Sequence, residues 1–173
     1  MRTMRSTAAV LLLALSACTR WGSAQSGIFR EITIGDGSQE LKLGAPIRDD
    51  VQPLLVAAGK DTYRVRPGMY GGADSITVST RPDGTVRCIA FAYGPGESYD
   101  FIVAGYEQDL GAPATRFTSP DSLRQITEWH DARTAFVVTR EGGRVSSMLC
   151  EPDRIEGGQK PAVTVGGANP ARG

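Results

Sequence analysis

The stretch Thr-Val-Ser-Thr-Arg-Pro-Asp-Gly-Thr-Val (77–86) decides how this chain is expected to fold. Its Asp83-Gly84 dipeptide is a strong hairpin signal, because glycine accepts the backbone conformation that a tight turn between two strands requires. The flanking segments, 75–80 and 85–91, have the composition of strands. The stretch therefore predicts an antiparallel hairpin near the middle of the chain.

A second stretch, Phe-Val-Val-Thr-Arg-Glu-Gly-Gly-Arg-Val (136–145), repeats the pattern of the first at an offset of 59 residues. At this offset, five aligned positions have the same residue type in both stretches. They are Val78 and Val137, Thr80 and Thr139, Arg81 and Arg140, Gly84 and Gly143, and Val86 and Val145. The alignment predicts an internal repeat in which each unit ends in a hairpin.

A short helix is predicted before the first hairpin, over residues 51–58. Asp50 is a favourable N-cap, and Pro53 falls in the first turn, where a missing N–H breaks no helical hydrogen bond. Gly59 supplies the C-terminal stop. One apolar face follows the helical spacing and contains Val51, Leu54, Leu55 and Ala58.

A second helix is predicted to begin after Ser98 and to end at Gly111 and Pro113. Its apolar face contains Tyr99, Val103, Tyr106 and Leu110. Strands are predicted after it at 114–118, 123–130, 133–140 and 144–150. The chain is therefore expected to form one α+β domain over residues 28–151, built from two tandem units, 28–96 and 97–151, each a helix followed by an antiparallel meander.

This plan of helix, small-residue stop and meander resembles two kinds of small export-compartment protein over roughly residues 40–150. They are the β-lactamase inhibitors and the outer-membrane assembly lipoproteins of the SmpA/BamE type. The resemblance implies a small α+β domain that binds another protein. For the inhibitors, it implies a sheet that blocks an exported enzyme.

The N-terminal segment has the layout of an export signal. Arg2 and Arg5 precede an apolar run at residues 8–15. A membrane-spanning helix needs about 20 apolar residues, so this run is too short to be one. Two interpretations are open: a lipoprotein, or an ordinary secreted protein that is cleaved after the small residues 22–24.

The tetrapeptide Leu-Ser-Ala-Cys (15–18) resembles the lipobox of bacterial lipoproteins. The resemblance implies that residues 1–17 are a cleaved signal peptide and that Cys18 carries the lipid that anchors the protein to a membrane. In the same families Thr19, at the position after the cysteine, is compatible with the outer membrane. Residues 18–27, small and polar apart from one tryptophan, are then predicted to be a tether that leaves the domain in the periplasm.

The charge composition excludes an electrostatic affinity for nucleic acid, because Lys plus Arg and Asp plus Glu both number 19. His130 is the one histidine and no metal-ligand spacing occurs, so neither a metal nor another cofactor is expected. Residues 152–173 are rich in glycine and proline and contain few large apolar side chains. They are predicted to be a disordered tail.

The three cysteines have different expected fates. If Cys18 carries lipid, Cys88 and Cys150 are a pair in an oxidising compartment and could form a disulfide. The repeat argues against the bond, because Cys88 aligns with Ser147 and Cys150 with Phe91. That alignment gives the two cysteines opposite positions in the strand alternation.

Few residues suggest a catalytic role. His130 and Asp131 are adjacent, as an acid–base pair would be, but they lie in a predicted turn and their side chains are expected to point apart. The favoured interpretation is that both side chains are exposed to solvent. Arg87 beside Cys88 could activate a thiolate, yet strand alternation directs the two side chains to opposite faces.

Aromatic residues could form a partner-binding surface, with Tyr70 and Trp129 at equivalent repeat positions. Core packing is the alternative for both rings. The predicted function is a non-catalytic, lipid-anchored envelope protein that binds a protein partner, or a lipid or glycan. The alternatives are an inhibitor-like domain that blocks an exported enzyme and a plain secreted protein.

Overall fold

A computed structural model describes residues 27–152 of the chain. The predicted signal peptide, the predicted lipidation site Cys18 and nearly all of the predicted tether lie outside the described residues. The predicted tail lies outside them from residue 153 onward. The predicted domain, residues 28–151, lies entirely within the described residues.

The described residues form ten strands and one α-helix. The strands in chain order are β1 (Glu31–Ile34), β2 (Gln39–Lys42), β3 (Leu55–Gly59), β4 (Thr62–Val65), β5 (Ser75–Thr80), β6 (Val86–Ala92), β7 (Thr115–Thr118), β8 (Arg124–His130), β9 (Ala135–Glu141) and β10 (Arg144–Cys150). The helix, α1 (Tyr99–Leu110), lies between β6 and β7. Strands β1 and β2 form a separate hairpin.

The other eight strands form one antiparallel sheet in the order β3-β4-β5-β6-β10-β9-β8-β7. The predicted α+β fold of two helix-plus-meander units is therefore wrong. Within residues 27–152 there is one α-helix, and the two meanders join through their last strands, β6 and β10. The result is a mostly β protein with a single broad sheet.

The first predicted helix is absent because its residues pair with β4 instead. A 3-10 turn covers Gln52–Leu54, and the chain then extends as β3. The carboxylate of Asp50 does not cap the turn, since it accepts two hydrogen bonds from the Arg48 guanidinium, at 3.0 and 2.8 Å. A short apolar run fits a helix or a strand equally well by periodicity, and here the ladder with β4 decides.

The second predicted helix is present with its predicted boundaries. Ser98 Oγ accepts a hydrogen bond from the Phe101 N–H at 3.4 Å, and Gly111 ends the helix with a φ of 78°. Tyr99 and Val103 are buried, so the predicted apolar face is the one that packs on the sheet.

One face of the sheet is covered by α1 and by the β1–β2 hairpin. From the sheet, the core takes Ile76, Val78, Ile89, Phe91, Trp129, Phe136, Val138 and Leu149, and from the hairpin Ile32, Ile34, Leu41 and Leu43. Phe136 is fully buried, with the Tyr106 ring of α1 at 4.5 Å and the Phe29 ring at 5.2 Å between centroids. We call this side of the sheet the covered face.

The two meanders correspond residue by residue, but not at the offset of 59. Buried Ile76 and Val78 of β5 correspond to Phe136 and Val138, which lie 60 residues later. Buried Ile89 of β6 pairs with Val78, and buried Ser147 of β10 pairs with Val138. Ile89 therefore corresponds to Ser147, which lies 58 residues later. The predicted alignment is therefore displaced by one residue in each strand.

The displacement has a physical cause in the first hairpin. Thr80 pairs with Val86 and Ser79 with Cys88, so Arg87 is an extra residue in a β-bulge. The turn of the first hairpin is also one residue longer than the Gly142-Gly143 turn. The first hairpin thus contains two extra residues, one in its turn and one in its bulge. Because side chains alternate between faces with a period of two residues, the side chains of β6 occupy the same faces as their equivalents on β10.

Candidate functional site

The opposite side of the sheet, which we call the open face, has no described helix or strand packed on it, because both covering layers lie on the covered face. One row of side chains crosses all eight strands. In strand order it contains Val56, Arg64, Thr77, Ala90, Met148, Val137, Glu128 and Thr115. This central row defines the geometry of the face.

The middle of the open face carries small, hydroxyl-bearing and apolar side chains. On β5, β6, β10 and β9 the three central rows contain Ser75, Thr77, Ser79, Cys88, Ala90, Ala92, Ser146, Met148, Cys150, Ala135, Val137 and Thr139. Met148 is 45% exposed, Phe117 on β7 is 47% exposed and Val56 on β3 is 50% exposed. None of the twelve side chains that these four strands contribute is charged.

Charged side chains surround this middle region. Arg64 and Glu128 flank it within the central row, and His130 ends a neighbouring row. An uncharged centre inside a charged rim is the anatomy of a protein–protein interface. The open face thus has the composition of a binding surface.

Cys88 and Cys150 form a disulfide in the open face. They are direct partners in the β6–β10 ladder, and their Cα atoms are 4.2 Å apart. The close approach fits a non-hydrogen-bonded pair, since the neighbouring Glu151 N–H donates to the Arg87 carbonyl. The argument against the bond from repeat parity fails, because the bulge at Arg87 returns Cys88 to the face of Cys150. The bonded sulfur also removes the candidate thiolate.

His130 and Asp131 do not form an acid–base pair in the structure. His130 is exposed at the end of β8, with Nδ1 3.8 Å from Glu128 Oε1. The Asp131 carboxylate accepts hydrogen bonds from the backbone N–H of Ile28 at 2.8 Å and of Arg133 at 2.7 Å. Partial burial acts to raise the pKa of Asp131, but these backbone hydrogen bonds hold it below its usual value. Asp131 therefore ties the start of the domain to the β8–β9 turn.

An ion cluster at the same end of the sheet was missed by the sequence analysis. Glu151 accepts hydrogen bonds from Arg30 and from Arg81, each at 2.6 Å. Arg30 also donates to the Arg133 carbonyl at 2.6 Å and to Thr134 Oγ1 at 3.1 Å. The partners lie 121 and 70 residues from Glu151 in the chain, so no local pattern could have revealed them.

The ion cluster lines an open cleft of about 850 Å³, together with Lys42, Asp83 and Arg133. Glu151 bridges Arg30 and Arg81, so its one negative charge offsets one of their two positive charges, and Lys42 pairs with Glu31 at 2.9 Å. The cleft therefore joins the N-terminal segment, the β5–β6 turn and the end of β10, and its chemistry is that of a structural ion pair network.

Tyr70 and Trp129 lie on the covered side and do not meet on a surface. Trp129 is 3% exposed, and its indole N–H donates to the Gly111 carbonyl at 2.9 Å. The Tyr70 ring is half-buried in the β4–β5 loop, 5.7 Å from the Phe91 ring. The residue equivalent to Trp129 in the first meander is Val65, since Val65 follows Arg64 on β4 as Trp129 follows Glu128 on β8, and Arg64 and Glu128 pair with the equivalent residues Thr77 and Val137.

The buried tyrosines of the core have structural partners. The Tyr93 hydroxyl lies 2.8 Å from Ser147 Oγ and 3.2 Å from the Tyr106 hydroxyl. Burial, and then the hydrogen bond with Tyr93, raise the pKa of Tyr106 far above its usual range. A neutral phenol in this position contributes a hydrogen bond and no reactivity.

Within residues 27–152, no group of three or more histidine, cysteine or acidic side chains is placed to hold a metal ion. In the same part of the chain, no helix has the length and apolar character that crossing a bilayer requires. Comparisons with protein-family models, with curated protein sequences and with solved structures gave no match. The open face is therefore the candidate site.

Proposed function

We propose that this chain is a non-catalytic, lipid-anchored protein of the bacterial cell envelope, held through Cys18 to a membrane and binding a protein partner on the open face. In this proposal the domain is exported and faces the periplasm, with the outer membrane as its site of attachment. The tetrapeptide Leu-Ser-Ala-Cys (15–18) supports the anchor.

The open face is the observation that supports binding. It spans eight strands, its middle is uncharged, and Met148 in the central row is 45% exposed. An uncharged centre within a charged rim is typical of protein interaction sites. A protein partner is favoured over a glycan, because no Trp or Tyr of the described strands lies on this face, Phe117 lies on an edge strand, and the middle of the face is aliphatic and hydroxyl-bearing.

The anchor is tested with Cys18→Ser in the full chain. We expect the variant to move from the membrane fraction to the soluble fraction and to lose labelling by a lipid precursor, because serine does not form the thioether. Native protein whose intact mass includes no acyl chain would overturn this half of the proposal.

Binding is tested with Met148→Lys, which places a charge at the middle of the open face. The matched control is Glu40→Lys on the exposed side of the β1–β2 hairpin. We expect cross-linking of the anchored protein to its partner to be lost in the first variant and kept in the second. Equal cross-linking in both variants would exclude the open face as the binding surface.

The absence of catalysis is tested with His130→Ala. We expect the cellular role of the protein to survive the change, since His130 is exposed and the side chain that its ring approaches among the described residues is the carboxylate of Glu128. A measurable turnover that disappears in a correctly folded variant would overturn the proposal.

A further inference from the structure

We propose that the open face is occupied by the open face of a second copy of this chain, so that the partner in the proposed function is the protein itself. This inference rests on the proposed function and names its partner. Two sheets packed face to face would form a β-sandwich between two copies.

The positions of two opposite charges carry the argument. Arg64 on β4 and Glu128 on β8 both belong to the central row of the open face. Strand β4 is second from one edge of the sheet and β8 is second from the other edge. The two charges are therefore equally distant from the middle of the sheet, which lies between β6 and β10.

A two-fold axis parallel to the strands, passing over the β6–β10 pair, exchanges the two halves of the sheet. A second copy related by this axis places its Glu128 opposite Arg64 of the first copy, and its Arg64 opposite Glu128. Two identical ion pairs form, as an isologous interface requires. The two charges of the central row are thus complementary to those of a second copy.

The same rotation matches side-chain size at the centre. Ala90 and Met148 are neighbours across the β6–β10 ladder. In the second copy Met148 lies opposite Ala90 of the first, so a large side chain meets a small one twice. Farther out in the row, Thr77 meets Val137 of the second copy. Sheets in a sandwich cross at about 30°, so these contacts are closest near the axis.

The area of the open face also suits a partner of this size. Eight strands spaced by about 4.8 Å, each showing roughly 20 Å of its length, present on the order of 700 Å². Standard interfaces bury about 800 Å² on each partner. A second copy covers the whole uncharged middle and leaves its own covered face, with helix α1, in contact with water.

The test uses two differently tagged copies of the full-length, anchored chain, expressed together and extracted from membranes. Arg64→Glu and Glu128→Arg, each introduced in both copies, turn two attractive pairs into two repulsive ones. We expect each single change to lower the co-isolated fraction at least about tenfold. The double exchange, Arg64→Glu with Glu128→Arg, restores opposite charges and is expected to return it to within about threefold of the native value.

Glu40→Arg is the matched control, since it reverses a charge on the exposed side of the β1–β2 hairpin and leaves the open face unchanged. Met148→Lys is a second disruptive variant that does not depend on the ion pair. We expect the control to co-isolate like the native chain and Met148→Lys to lose co-isolation. All variants are compared for membrane attachment and for native disulfide content, which report folding.

Three results would overturn the inference. One is the absence of co-isolation between native copies that are correctly anchored. Another is a double exchange that remains as weak as the single changes. The third is a different protein that Met148→Lys releases in stoichiometric amount while self-association is unaffected. All three leave the anchor and the binding role standing, whereas release of the native chain into the soluble fraction would count against the proposed function.

Discussion

At the scale of the residue, Glu151 connects three distant parts of the chain. Its carboxylate holds Arg30 from the N-terminal segment and Arg81 from the β5–β6 turn. Gly44 makes room for it, since a Cβ there would lie 2.5 Å from Glu151 Oε1. The backbone of Gly44, with a φ of 74°, is in a conformation that favours glycine.

Gly44→Ala is expected to destabilise the domain by about 1–3 kcal/mol, from backbone strain and from displacement of the carboxylate. The free energy of unfolding in urea measures the effect. Gly68→Ala is the control, because Gly68 has a similar φ of 79° but no atom within 4 Å of the new Cβ. If both substitutions cost the same, the contact with Glu151 contributes nothing.

The ion cluster also predicts a pH dependence. Partial burial acts to raise the pKa of Glu151, but hydrogen bonds from Arg81 and Arg30 hold it below its usual value of 4.5. A carboxylate whose pKa is lower in the folded protein than in the unfolded chain stabilises the fold at pH values above the unfolded pKa. That stabilisation is lost as the pH falls through the folded pKa. Glu151→Gln should therefore destabilise the domain at pH 7 and progressively less below about pH 4.5. Urea unfolding of both proteins at pH 7 and pH 3.5 measures this, and an unchanged difference would contradict it.

At the scale of the element, helix α1 depends on its first turn. Ser98 Oγ caps the Phe101 N–H, and Asp100 lies favourably in the first turn. Ser98→Ala is expected to lower the free energy of unfolding by about 0.5–1 kcal/mol. Ser98→Asp keeps the cap and serves as the control, since it should retain the native stability to within a few tenths of a kcal/mol. An equal loss in both variants would show that the cap is not the source.

Local signals predicted some elements and misjudged others. Asp83-Gly84, Gly142-Gly143 and Ser98 act within a few residues of themselves, so both hairpins and α1 could be predicted from the sequence. The strand β3 could not, because its ladder with β4 outweighs a helical spacing that lasts only about two turns. The open face could not be recognised either, since it depends on which strands pair across the two meanders.

The repeat shows a further limit of sequence comparison. The offset of 59 averages true offsets of 60 and 58 in the two strands. Matching residue types hid an inserted bulge residue, Arg87, and a one-residue shift reverses which face every side chain occupies. The displaced alignment therefore assigned Cys88 and Cys150 to opposite faces of the sheet, although the two residues are paired.

At the scale of the whole molecule, the disulfide links β6 to β10, the two strands through which the meanders join. Cys88 and Cys150 are separated by 62 residues, and closing a loop of this size is worth about 4 kcal/mol in the chain-entropy model. The double change Cys88→Ala with Cys150→Ala should lower the free energy of unfolding by up to that amount. A reductant should shift the urea midpoint of the native protein and leave that of the double variant unchanged. Equal shifts would place the effect elsewhere.

The strand order has a consequence for how a new chain is made. The middle of the sheet joins β6 to β10, and 58 residues separate the ends of these strands, Ala92 and Cys150. At about 5–20 residues per second, a chain that enters its folding compartment as it is synthesised presents β10 some 3–12 seconds after β6. During that interval the first meander can fold with β6 as a bare edge and Cys88 without its partner. The β10 of a neighbouring nascent chain offers the same ladder, so crowded synthesis favours exchange of whole meanders between two chains.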